Sequence, residues 1–325
     1  MSCRTWPPET PPPPPPPPPK PPPDPGAPPS FFYAASYYGA LTATSSSTWT
    51  SDLTKLRQLG VSNVRVWVDW PGWEGGPAGN IVQPNGSLSA SRVAQFQQFL
   101  TIAGSLKMKV DMTFGGAGDA SFIEYTSFNA WHTGLRNMAT TFKDWTMFYP
   151  VDVHNEYKAG THKSGGELTI AHIVQATNEV HAIAPAWPIT CSTDGDSGSC
   201  AIDYAQMIGS GAYLNVLAPH FPRYDSDWGE KVEGRVNNVR NVLLTNFGIA
   251  KPIYVQEENR DEYTGGTWTV DQSTAAATGA RRSKAVGYCF HTVAGFDLSH
   301  GTFFDQLSPA ELEALRALPK GGLTP

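Results

Sequence analysis

From Phe31 onward the chain alternates short apolar runs with longer amphipathic ones. The aromatic run FFYAASYYG (31–39) precedes STWTSDLTKLRQLG, whose Ser/Thr/Asp opening and terminal Gly60 are helix start and stop signals. NVRVWVDW (63–70) is a strand by its β-branched and aromatic content, and residues 87–106 carry apolar positions at helical spacing. The same alternation continues with strands at 108–116, 147–157, 188–195, 213–223, 251–260 and 286–292. Helices are predicted at 121–143, 166–184, from about 200, 228–247, 270–285 and 308–318. Eight strands and eight helices in strict alternation predict a parallel sheet with crossover helices. In just under 300 residues that pattern fits a single-domain (β/α)8 barrel, a TIM barrel, over 31–325. The rival, an open doubly wound sheet, lacks support: no strand is followed by GxGxxG or GxxxxGK[ST].

Composition adds a second region. Seventeen of the 29 prolines fall in residues 1–30, which read as a disordered proline-rich tail. Polyproline is extended at ~3.1 Å per residue, so 7–29 could reach roughly 70 Å. MSCRTW holds no charged-then-apolar export signal, yet a proline-rich spacer is a common way to hold an enzyme off a surface. The expectation is an extracellular or envelope-attached bacterial protein; one reading makes Cys3 a lipid-bearing cysteine if the chain begins further upstream.

The tail's charges cancel, so the net charge of −6 belongs to the body. An acidic body is a poor match to nucleic acid or anionic membrane, and no apolar stretch reaches 18 residues. A monomer is expected. Cys191 and Cys200 bracket the polar CSTDGDSGSC; a disulfide and two free thiols are both open. No cysteine has zinc-site spacing.

In a barrel of this kind chemistry sits at the C-terminal ends of the strands. The fourth strand ends in Asp152, His154, Asn155 and Glu156, and the seventh in Gln256, Glu257 and Glu258. The sixth ends in His220, with Arg223 and Tyr224 after it, and Arg65 lies inside the apolar second strand. Two carboxylates at a barrel mouth are the machinery for cleaving a glycosidic bond: one donates a proton, the other attacks or activates water. A buried arginine would hold the second ionised, and needs such a partner itself. His154 reads as a core histidine. No HxH lies on the first strand, so neither a metal nor a cofactor is expected.

These residues resemble a known family. VDVHNEY is similar to the Asn-Glu motif on strand four of clan A glycoside hydrolases, and PIYVQE to strand seven of the cellulase-like family five. NVRVW resembles that family's strand-two arginine and PHF its strand-six histidine, in the family's order, over roughly 31–318. The resemblance implies a retaining β-glycosidase acting on a β-linked glycan such as a β-glucan or mannan, with an oligo- or polysaccharide as its partner. It implies Glu156 as acid/base, Glu257 as nucleophile and Asn155 on the sugar 2-OH. Arg65 and His220 would hold Glu257 ionised and oriented, with Tyr224 near the nucleophile, although the family's tyrosine usually sits closer to its histidine.

The strand-eight tryptophan of the family is missing. GYCFHT stands there, leaving Phe290 or His291 to fill the platform's place. Glu257 and Glu258 are strand neighbours, so only one is expected to enter the mouth, and motif register favours Glu257. Trp67 reads as core, while Trp70, Trp73, Trp228 and Trp268 lie in polar loops and are candidate sugar platforms. The alternative function is a non-catalytic carbohydrate-binding barrel with an idle acid pair.

Overall fold

The computed structural model describes residues 31–42, 45–69, 80–115, 125–157, 161–162, 166–221, 228–257, 269–292 and 301–318. Strand β1 (Phe32–Ser36) leads to α1 (Gly39–Thr42) and α2 (Ser46–Gln58). Then come β2 (Asn63–Trp67), α3 (Ala90–Ser105), β3 (Lys109–Thr113), α4 (Phe128–Phe142) and β4 (Phe148–Asp152). A short antiparallel pair, β5 (Thr161–His162) and β6 (Gly166–Glu167), precedes α5 (Ile170–Ile183). The chain continues through β7 (Ile189–Thr190), β8 (Thr193–Asp194), α6 (Ser197–Gly209), β9 (Pro219–His220), α7 (Trp228–Phe247) and β10 (Tyr254–Val255). It finishes with α8 (Val270–Arg282), β11 (Gly287–Phe290), α9 (Phe303–Gln306) and α10 (Pro309–Ala317).

The sheet closes on itself. Seven parallel strands run in the order β10-β11-β1-β2-β3-β4-β7. Just after β7, β8 pairs in parallel with β9, and β9 returns to β10. That last seam is held by the Tyr254 N–H on the Leu217 carbonyl at 2.8 Å and the Phe221 N–H on the Glu257 carbonyl at 3.2 Å. With β7 and β8 sharing one position, eight strand positions form the ring of a (β/α)8 barrel. Several elements are shorter than the sequence suggests. Helix α5 starts at Ile170 rather than 166 because Thr169 caps it, His172 Nδ1 accepting from the Thr169 N–H at 3.3 Å. Helices α1 and α9, one turn each, were not foreseen. Serine and aspartate caps hold other starts: Ser127 on α4, Asp196 on α6 and Ser308 with Glu311 on α10. Such caps contribute about 1 kcal/mol each.

Alternation along the strands sorts side chains into two shells. On β1, Tyr33 and Ala35 face the helices, while Phe32 and Ala34 join Val216, Ala218, Tyr254 and Cys289 in a separate apolar cluster inside the ring. Gly287 at the start of β11 is required by that plug, since a Cβ there would collide with the Phe32 ring. Above the plug the interior turns polar, and there the candidate site lies. Among the described residues no helix is long and apolar enough to cross a membrane.

Candidate active site

Arg65 points into the ring from the middle of β2 and is fully buried. A lone guanidinium there would carry a severe desolvation cost, so its partners decide whether it is tolerated. Register places Ser36 and Asp111 beside it on the neighbouring strands. Its Nη1 donates to Glu257 Oε1 in a short ion pair, its Nη2 to Asn155 Oδ1 at 2.5 Å and its Nε to Thr113 Oγ1 at 3.0 Å. Asp111 and Asp152 each approach it to 3.8 Å. Burial works to lower the Arg65 pKa, but Glu257, Asp111 and Asp152 outweigh it and the net shift is upward, so Arg65 stays charged. Burial pushes Asp111 up to about 7 and raises Asp152, with Arg65 opposing in both.

Beyond Asp152 the chain leaves the β ladder and bends across the mouth. The Asn155 N–H is held by the Phe114 carbonyl, the Glu156 N–H by Ser192 Oγ and the Tyr157 N–H by the Ser192 carbonyl, each at 2.9 Å. These clamps keep Glu156 at φ +57°, a left-handed conformation costing an L-residue roughly 1–2 kcal/mol. His220, at the end of β9, bridges the acids: its Nδ1 is 2.9 Å from Glu156 Oε1 and 3.6 Å from Glu257 Oε2. Facing oxygens of Glu156 and Glu257 and the His220 nitrogen all lie within 4.8 Å of one another. Burial pulls the His220 pKa down, but the Glu257 charge and the Glu156 hydrogen bond raise it overall. Glu257 is almost wholly buried, whereas the Glu156 side chain keeps 23% of its surface exposed. This trio has the spacing to grip a cation, yet only one member is a histidine and Arg65 already occupies Glu257.

Arg65, Asn155, Glu156, His220 and Glu257 are thus brought into one cluster, and His291 joins it. His291 Nε2 lies 3.8 Å from Glu257 Oε2, while its Nδ1 meets Ser36 Oγ at 2.8 Å. Phe290 does not join: β11 turns Cys289 inward and Phe290 outward into the helix-facing core. Trp67 is buried, with Tyr38 stacked on it at 4.3 Å and the Arg65 guanidinium over its ring at 4.4 Å. His154 is buried and packs edge-on against Trp131 at 5.6 Å. Cys191 and Cys200 are separate buried thiols, so the disulfide alternative is set aside. The CSTDGDSGSC run is polar because Asp196 caps α6, accepting from the Gly198 and Ser199 N–H groups. Tyr224, Trp70, Trp73, Trp268, Glu258 and the Trp228 side chain lie outside the described residues.

Sequence reasoning gave no role to Asp111, Gln256, Ser36 or Ser192. Gln256 Nε2 donates to Asp111 Oδ2 at 2.8 Å, and its Oε1 faces His220 Nε2 at 3.0 Å. The signal that could have found Asp111 is the polar alternation Lys109, Asp111, Thr113 on β3, which puts three polar groups on one face of a buried strand.

No protein-family model matches the chain, and no curated protein matches it. Solved structures do. A β-mannanase from the blue mussel Mytilus edulis superposes with TM-score 0.58 at 14% identity, covering 88% of this chain and 91% of its own. A glycoside hydrolase family 5 enzyme from Prevotella bryantii, solved with a xyloglucan tetradecasaccharide, gives TM-score 0.61 at 11% identity over 89% and 95%. A family 5 enzyme from Streptomyces cattleya in complex with GlcNAc gives 0.58 at 15% identity over 90% and 80%. The chain shares the barrel fold of these enzymes.

Proposed function

We propose that this chain is a retaining β-glycosidase of the two-carboxylate kind, cleaving a β-linked glycan such as a β-glucan or mannan. The observation that carries the reading is the Glu156–His220–Glu257 cluster, with its oxygens within 4.8 Å, set beside a buried arginine at the strand ends. Retaining enzymes hold their carboxyls about 5–5.5 Å apart, whereas inverting ones leave about 6.5–9.5 Å for a water. Glu257, ionised by Arg65, attacks the anomeric carbon while Glu156 protonates the departing oxygen. The resulting glycosyl ester on Glu257 is then hydrolysed by a water that Glu156 deprotonates. Asn155 spends its carbonyl on Arg65, which leaves its NH2 for the sugar 2-OH. Glu156 is the more exposed of the pair, as a group that meets both leaving group and water must be.

The fold neighbours that act on mannan or bind xyloglucan support a polysaccharide substrate, and a polymer favours an extracellular or envelope setting. A binding-only barrel has no use for a buried arginine paired with a carboxylate at the mouth. The test is hydrolysis of aryl β-glucosides, aryl β-mannosides, β-glucan, mannan and xyloglucan, with Glu257→Ala as the blank. Hydrolysis that disappears in the variant is expected; equal hydrolysis by both proteins would remove the catalytic assignment.

A further inference from the structure

His220 has two nitrogens with different surroundings. Nδ1 faces Glu156 and Glu257; Nε2 faces the Gln256 carbonyl oxygen at 3.0 Å. That amide is fixed from its other end, where its NH2 donates to Asp111 Oδ2 at 2.8 Å. Three donors address the Asp111 carboxylate: the Gln256 NH2, the Thr113 hydroxyl at 3.1 Å and the Arg65 Nε at 3.8 Å. An ionised carboxylate only accepts, so the amide must turn its NH2 toward Asp111 and its carbonyl toward His220. A carbonyl also only accepts, so the ring nitrogen facing it must carry a proton.

We propose that Asp111, acting through Gln256, is a positioning residue that keeps a proton on Nε2 of His220. The nitrogen that gains and loses a proton is then Nδ1, the one the two carboxylates share. The inference rests on the two-carboxylate reading above and deepens it. A neutral ring protonated on Nε2 presents a lone pair at Nδ1, which accepts from a protonated Glu156 and aims its acid. The same proton can cross to Nδ1, giving an imidazolium between two carboxylates with no atom or electron gained. A neutral ring of the other tautomer would always donate to Glu156, holding it as a carboxylate and disabling it as an acid. Glu156, Asp152, Asp194, Glu257 and Arg65 are the charged groups that act on the ring.

The test is ¹⁵N NMR of the histidine rings in the full chain without substrate, His220 being assigned by its loss in His220→Gln. At pH 8.5 Asp111 is ionised, since burial pushes its pKa up only to about 7. Parent protein is expected to carry a proton on Nε2. In Asp111→Leu nothing anchors the amide, so Gln256 turns, Nε2 becomes an acceptor and the proton moves to Nδ1. Gln256→Met, which removes the carbonyl, should do the same and is read in its place if Asp111→Leu does not fold. On any substrate the parent cleaves, kcat should fall about tenfold or more in the variant while KM stays within about twofold. An unprotonated Nε2 in the parent, or a protonated Nε2 in the variant, would overturn the proposal. Because the spectrum is taken without sugar, failure of the glycosidase reading would show only in the hydrolysis panel.

Discussion

The lower and upper halves of the barrel interior come from the same strands, two residues apart, yet they are built on opposite principles. On β1 the lower half receives Phe32 and Ala34 and the upper half Ser36; on β10 it receives Tyr254 and the upper half Gln256. On β11 the change is from Cys289 to His291. Below, the space is filled mainly by apolar contact, and each large side chain contributes about 1.5–3 kcal/mol by leaving water. Above, one arginine and two histidines stand among Asp111, Asp152, Glu156 and Glu257, an arrangement tolerated only because each group answers another. The difference teaches that the plug supplies stability, while the layer above it gives up stability to hold the charges that the proposed chemistry needs.

Substitutions can break that division. The largest expected effect is Glu257→Ala: kcat should fall on the order of 10⁴-fold or more with the melting temperature held, since Arg65 keeps Asp111 and Asp152. Steady-state kinetics beside thermal melts would check both halves of that statement. Arg65→Met should cost about 3–5 kcal/mol of stability by stranding three buried carboxylates, and about 10²-fold in kcat/KM. Urea titration and kinetics on the same sample would measure the two losses. Phe32→Ala tests the lower half: about 3–5 kcal/mol of stability should go, with kcat of the folded enzyme unchanged within about twofold. A matching fall in kcat would mean the halves are not separable.

The smallest effect sharpens the comparison through pH. Asp111 has a folded pKa of about 7 against an ordinary value of 3.8, so the folded protein holds that proton more tightly than the unfolded chain. The stabilisation from its protonation is complete below about pH 4, declines as pH rises and is gone above about pH 7. His220, whose pKa is also raised, acts in the same direction, losing its contribution as pH climbs through its folded value. Relative to the parent, Asp111→Asn should therefore flatten the fall in urea midpoint between about pH 4 and pH 7. Parallel curves for the two proteins would show that Asp111 does not titrate in that window.

Much of this was legible in the sequence, and the exceptions have physical causes. Alternating apolar and amphipathic runs gave the barrel, polar residues closing apolar strands gave Glu156, His220 and Glu257, and a charge in mid-strand gave Arg65. Which of Phe290 and His291 faces inward was not legible, because a parallel barrel strand is buried on both faces and reads as nearly continuous apolar sequence. Strict alternation from Tyr254 would send Gln256 inward and Glu257 outward. Both reach the interior because β10 ends at Val255 and the chain beyond it is no longer pleated. The pairing of Arg65 with Asp111 depends on strand register, which tilt and stagger around the ring determine and local sequence does not.

The central claim is a covalent intermediate on Glu257, and trapping it is the most direct measurement. The protein would be incubated with 2-deoxy-2-fluoro β-glucosyl and β-mannosyl fluorides, digested and weighed peptide by peptide. The account predicts one fluorosugar on Glu257, absent when Glu257→Ala is treated in the same way. A sugar on Glu258 or any other residue, or hydrolysis that proceeds with inversion, would contradict it.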